Sequence, residues 1–180
     1  MAQSFLNIPG LPLGLRNNNP GNLRPLSNGQ KWLGEIAPDT TNNFSRFQNV
    51  AYGLRAMITD ITGDIVNDGR NTLRKLITAY APPNENDTAA YIATVSSLTG
   101  LAPDAIIPVS TYWITKIIVA KMNVELGYNY AGKISGSDIS EAFSLLSDKV
   151  KSWLSYSPGA SSGNGLVIVG AILAVYFLSR

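Results

Sequence analysis

After residue 50 the apolar positions recur at helical spacing. Val50, Leu54, Met57, Ile58, Ile61 and Ile65 form one stripe, and Asp68-Gly69 closes it. Asn71 is placed to cap a short helix that turns Leu73, Leu76, Ile77 and Tyr80 inward until Pro82-Pro83 stops it. Asn86 or Asp87 can cap the next helix, with Tyr91, Ile92, Val95 and Leu98 on one face and Gly100 at its end. Ser110 or Thr111 opens another, with Ile114, Ile117, Ile118 and Met122 aligned. Asp138 with Glu141 three residues on reads as a capping box. It opens one continuous helix to Ser155 with Ile139, Ala142, Phe143, Leu146, Val150 and Trp153 in register.

Before residue 50 the pattern is different. Asn, Gly and Pro cluster between short apolar pieces: Asn22-Leu23-Arg24, Lys31-Trp32-Leu33 and Phe44-Ser45-Arg46-Phe47. Ser27-Asn28-Gly29 is a turn signal between two of them. The expectation is a small, irregular β-hairpin lobe beside a mainly α domain. At the other end, residues 155–164 are small and polar and read as a flexible linker. The run 165–180 that follows carries no charge from Gly165 to Leu178. A helix of that run spans about 21 Å, shorter than the roughly 30 Å hydrocarbon core. Its position behind a linker and its all-round apolarity nonetheless predict a C-terminal transmembrane anchor. The chain thus divides into an extended arm (1–15), a folded domain (16–130), an amphipathic helical segment (131–154), a linker and an anchor. Residues 1–15 have no cationic start and no continuous apolar core, so they do not read as a signal peptide.

Composition narrows the chemistry. The 180 residues include no Cys and no His. Zinc sites built on His or Cys, Ser-His-Asp and Cys-His nucleophiles, and disulfides are therefore excluded. No metal site and no cofactor is expected. Net charge is +2, which gives no strong attraction to nucleic acid, so none is expected as a partner. Acid–base chemistry must come from carboxylates, Lys or Tyr, and Glu occurs only at positions 35, 85, 125 and 141.

Glu125 continues the stripe of Ile114, Ile118 and Met122, just before Gly127 ends the helix. Partial desolvation at the end of a buried stripe favours the protonated form of a carboxyl group. A protonated carboxyl is what glycosidic cleavage requires at the leaving oxygen. The same residue could instead face solvent in a last turn, or pair with Lys121 or Lys116. Glu85 and Glu35 are alternatives. Glu85 precedes a helix, where a carboxylate is favoured by the dipole. Glu35 follows Trp32-Leu33-Gly34, either facing a cleft or lying in a solvated loop. Tyr80 and Tyr91 could stack on sugar rings or serve as core aromatics. The run Arg16-Asn17-Asn18-Asn19-Pro20-Gly21-Asn22 offers amides either for turn formation or for sugar hydroxyls and N-acetyl groups.

The run RNNNPGNLR resembles a family of phage and prophage virion-associated, lysozyme-like proteins. So do Trp32-Leu33-Gly34, Phe44-Ser45-Arg46-Phe47, Tyr52-Gly53-Leu54-Arg55-Ala56, Asn71-Thr72-Leu73 and YAPPNENDTAAYI. The likeness covers about residues 15 to 127. The Asn-Asn-Pro-Gly-Asn region is similar to the segment that follows the catalytic helix in lysozyme-like glucosaminidases and lytic transglycosylases. There a helix-ending Glu stands immediately before it; here no acidic residue precedes Glu35. The last helix of that family commonly ends His-Glu-Asn-Gly, where this chain reads Val124-Glu125-Leu126-Gly127. The resemblance thus implies a circular permutation that moves the catalytic helix to the end of the domain, with Glu125 as the acid. It also implies groove-lining roles for Asn19, Asn22, Tyr80, Thr88 and Tyr91.

The fold class that follows is mainly α: a lysozyme-like helical domain with a small irregular β lobe and a C-terminal membrane helix. The implied function is a virion-associated peptidoglycan-degrading glycosidase, of lytic transglycosylase or muramidase type, acting in phage entry. Its implied partners are peptidoglycan glycan strands, a lipid membrane and other virion proteins, and its place is the virion, anchored in the internal viral membrane. The alternative is a non-catalytic, membrane-anchored virion structural protein with a degenerate domain.

Overall fold

The computed structural model describes residues 2–155. Among the described residues the helices run in order: α1 (Leu13–Arg16), α2 (Val50–Val66), α3 (Leu73–Tyr80), α4 (Thr88–Thr99), α5 (Thr111–Leu126), α6 (Tyr128–Ala131), α7 (Gly136–Ser144) and α8 (Asp148–Ser155). The described residues form two compact units, 2–58 with 121–146, and 59–120 with 147–155.

The first unit is built as much from loops as from helices. Its N-terminal arm is pinned along its length. The Gln3 amide donates to Asp138 Oδ1 at 2.9 Å and the Gln3 carbonyl accepts from Val50 N at 3.0 Å. The Phe5 amide donates to Asn18 Oδ1 at 2.8 Å, and Asn7 N donates to the Arg16 carbonyl at 3.0 Å. Asp138 therefore does two jobs: it holds the arm and sits in the capping box of α7. That box pairs Asp138 with Ser135, three residues before the pair expected from the sequence. Apolar burial comes from Leu15, Leu23, Phe47, Leu54, Met57, Met122, Leu126 and Ile139, each worth about 1.5–3 kcal/mol. Gly53, inside α2, is needed for close approach. A Cβ there would collide with the carbonyl oxygen of Asn18.

The expected β lobe does not form. Among the described residues there is no strand, only isolated antiparallel bridges at Glu35–Phe47 and Thr72–Ile106. Around the first bridge, Ile36 N donates to the Arg46 carbonyl at 2.9 Å and Gln48 N to the Gly34 carbonyl at 3.0 Å. Pairing goes no further because side chains take the neighbouring backbone groups. Trp32 N donates to Glu35 Oε2 at 3.0 Å, and Leu23 N to Asn19 Oδ1 at 3.0 Å. Asn22 and Asn43 also turn the chain with φ of 49° and 54°, outside the extended region.

The second unit follows the helical pattern. Thr72, not Asn71, caps α3 by accepting from Lys75 N. Asp87 caps α4 by accepting from Ala90 N, and Gly100 ends it with φ 77°. The single helix expected from Asp138 to Ser155 is two helices. After Leu146, Ser147 restarts the chain: its Oγ accepts from Val150 N at 3.4 Å and its carbonyl from Lys151 N at 2.9 Å. The expected membrane helix is also not supported. No helix among the described residues is long and apolar enough to cross a membrane, and 165–180 lies outside those residues. The mainly α character is present; the β lobe and the membrane helix are the corrections.

Candidate active site

The asparagine run sits directly after α1 and folds into the first unit. Asn18 and Asn19 are fully buried and Asn17 nearly so. Asn18 adopts φ 50°, which Asn tolerates better than most residues. Its Nδ2 donates to Ser4 Oγ and to the Phe47 carbonyl, both at 3.0 Å. Asn19 Nδ2 donates to the carbonyls of Leu23 at 2.8 Å and Ser45 at 2.9 Å. These amides substitute for the ladder that the loop lacks. Of the sugar-binding residues expected here, Asn19 has its amide committed to the backbone.

Asn22 behaves differently. Its Nδ2 donates to Glu125 Oε2 at 2.9 Å, across 103 residues of sequence. Glu125 is half-buried in the last turn of α5, between buried Met122 and Leu126. Leu126 packs on α1, where a Cβ at Gly14 would lie 2.8 Å from Leu126 Cδ2. Val124 is 36% exposed. So the residues on either side of Glu125 bring it no polar group, and the loop does. No local sequence signal marks the contact of Gly14 with Leu126.

The other carboxylates have structural surroundings. Glu35 Oε1 accepts from Ser45 Oγ at 2.6 Å and Oε2 from Trp32 N. Glu85 is exposed, and its backbone N–H donates to the Pro82 carbonyl at 3.0 Å. In the second unit Tyr80 and Tyr91 meet edge to face with centroids 6.2 Å apart. Thr88 Oγ1 donates to the Ala81 carbonyl at 2.5 Å and is buried. The structure thus brings Asn22 to Glu125 in one unit and Tyr80 to Tyr91 in the other. Lys116 donates to the Thr99 carbonyl at 2.8 Å, capping the end of α4. Lys121, on α5, is buried at 1% exposure.

Two charged groups of the first unit are shifted. The Asn42 backbone N–H, with that of Thr41 and the side chain of Asn42, holds the Asp39 carboxyl below its ordinary value against a smaller opposing effect of desolvation. Burial pushes the Arg55 guanidinium below its ordinary value.

The sequence matches no family model. The chain belongs to a family of bacteriophage proteins. The relative that shows this is Protein P5 of Pseudoalteromonas phage PM2, 34% identical over 117 residues, which make up 64% of this chain and 72% of that protein.

Proposed function

We propose that the chain is a virion-associated phage protein that cleaves the β-1,4 glycan strands of peptidoglycan during entry, with Glu125 as the general acid. Membership of a phage family supports a place in the particle, beside other virion proteins. The observation that carries the catalytic reading is the hydrogen bond from Asn22 to Glu125. In the enzymes this sequence resembles, a helix-ending Glu adjoins the Asn-Asn-Pro-Gly-Asn loop through the chain. Here the chain order is reversed, yet the end of α5 reaches the same loop through space.

In this reading Glu125 gives its proton to the leaving glycosidic oxygen and then takes one back. A transglycosylase needs no second carboxylate, because a hydroxyl of the sugar itself attacks in place of water. Peptidoglycan incubated with the purified full chain is expected to release soluble glycan fragments. Glu125→Gln keeps the shape and the acceptor for Asn22 but has no proton to give. Its rate is expected to fall by about 10²–10⁴-fold with the fold retained by circular dichroism. Loss of cleavage with Glu35→Gln or Glu85→Gln, but not with Glu125→Gln, would place the acid elsewhere.

One observation favours a second reading, a non-catalytic structural protein of the virion. Asn18 and Asn19 are wholly used in holding the fold, so the asparagine run has a purpose without any ligand. That reading takes over if wild-type protein releases no fragments at any pH between about 4 and 8, where a carboxyl acid works.

A further inference from the structure

We propose that Asn22 is the positioning residue for Glu125, and that Gly14 holds it in place. The proposal rests on the reading of Glu125 as the acid. The contrast with Asn19 carries it. Both ends of the Asn19 amide are used: Nδ2 by two carbonyls and Oδ1 by Leu23 N. Only one end of the Asn22 amide is used. Nδ2 reaches Glu125, while Oδ1 is buried with no hydrogen-bond partner. A buried carbonyl left without a donor is unfavourable. A residue kept only for its left-handed turn, φ 49°, would be served as well by glycine and would bury no such group. The orientation of the Asn22 amide therefore answers to Glu125.

The seat for that amide is Gly14. A Cβ there would lie 3.0 Å from Asn22 Oδ1 and 2.8 Å from Leu126 Cδ2, so the bare α1 backbone admits both. The Asn22 backbone is pinned in turn, its N–H donating to the Asn19 carbonyl at 2.9 Å. The consequence is chemical. The Asn22 amide N–H holds the Glu125 carboxyl group through Oε2 at 2.9 Å. Asn22 thereby sets the orientation of the carboxyl group, without touching the substrate. Val124 and Leu126, which flank the acid in the chain, are apolar, and the loop adds a polar contact to it.

The test uses the full chain and soluble glycan strands of peptidoglycan. Asn22→Gly suits the backbone and removes the donor; Asn22→Asp keeps the shape and replaces the donor with an acceptor. Both are expected to retain the wild-type melting temperature within a few degrees. In both, kcat is expected to fall at least tenfold while KM stays within twofold of wild type. A wild-type kcat in Asn22→Gly overturns the proposal and leaves Glu125 as the acid. A raised KM at unchanged kcat also overturns it, because Asn22 would then bind the glycan directly. If neither variant folds, Asn22 is a turn residue and the proposal fails. An inactive wild-type chain removes the reading of Glu125 first, and this one with it.

Discussion

The loop stretch 13–48 and the helical stretch 73–99 solve the same problem in opposite ways. Both must satisfy buried backbone groups. In α3 and α4 the helix ladder does so locally, and side chains act only at the ends. Thr72 accepts from Lys75 N, Asp87 from Ala90 N, and Thr88 donates to the Ala81 carbonyl. Apolar burial is shared among Leu73, Leu76, Ile77, Tyr91, Ile92 and Val95. In the loop stretch, single amides serve several backbone groups at once. Asn18 joins Ser4, Phe5 and Phe47; Asn19 joins Leu23 and Ser45. A helix spreads its stability over many replaceable contacts, whereas such a loop concentrates it in a few side chains.

The strongest way to break the comparison is Asn19→Leu. The volume is roughly kept, but Leu23 N and the Ser45 carbonyl lose their partners inside the protein. Each stranded buried group costs about 1–3 kcal/mol. The expected loss is about 2–6 kcal/mol in urea unfolding, enough to lower the melting temperature by several degrees or more. A loss below about 1 kcal/mol would mean that water or a shifted loop can replace the amide, and the contrast would dissolve.

The corresponding change in the helical stretch is Asp87→Ala. It removes one accepted hydrogen bond at the start of α4, and the freed Ala90 N–H lies next to exposed residues that water can reach. The expected cost is about 1 kcal/mol, within the usual range for a cap. A penalty as large as that of Asn19→Leu would show that caps in this protein are no more replaceable than loop amides.

The same contrast explains how much could be read from the sequence. The limits of α2, α4 and α5 followed from apolar period and cap residues, because a helix is a local structure. The loop stretch misled because its backbone partners are side chains far along the chain. Nothing near Ser45 says that Asn19 will take its carbonyl, so alternation and a turn signal read as a hairpin. The asparagines were legible as unusual but not as holding two different roles: backbone anchors at Asn18 and Asn19, and a donor to Glu125 at Asn22. The break at Ser147 was missed because the apolar register continues through it, with Ile139, Leu146 and Val150 all buried. Burial of Lys121 was invisible for the converse reason: a lysine on a helix reads as solvent-facing until its surroundings are known.

The smallest expected effect separates the two stretches by charge. The loop 39–43 is folded around the Asp39 carboxylate, whose Oδ1 accepts from Asn42 N at 2.8 Å and Thr41 N at 2.9 Å. The cap of α3 uses the Thr72 hydroxyl, which does not titrate. Because the Asn42 and Thr41 amides hold Asp39 below its ordinary value of 3.8, the charged carboxyl is the form the folded loop prefers. Its stabilising contribution is therefore fully present above that value and is lost as pH falls through the lower, folded one. In proton–nitrogen spectra the Asn42 and Thr41 amide shifts should titrate with a midpoint below 3.8, while the Lys75 amide stays still. Asp39→Asn keeps an acceptor oxygen in place and should abolish the titration with the loop still formed. A midpoint at or above the ordinary value would mean that the amides do not favour the charged carboxylate, and that this loop is held by backbone geometry in the manner of the helices.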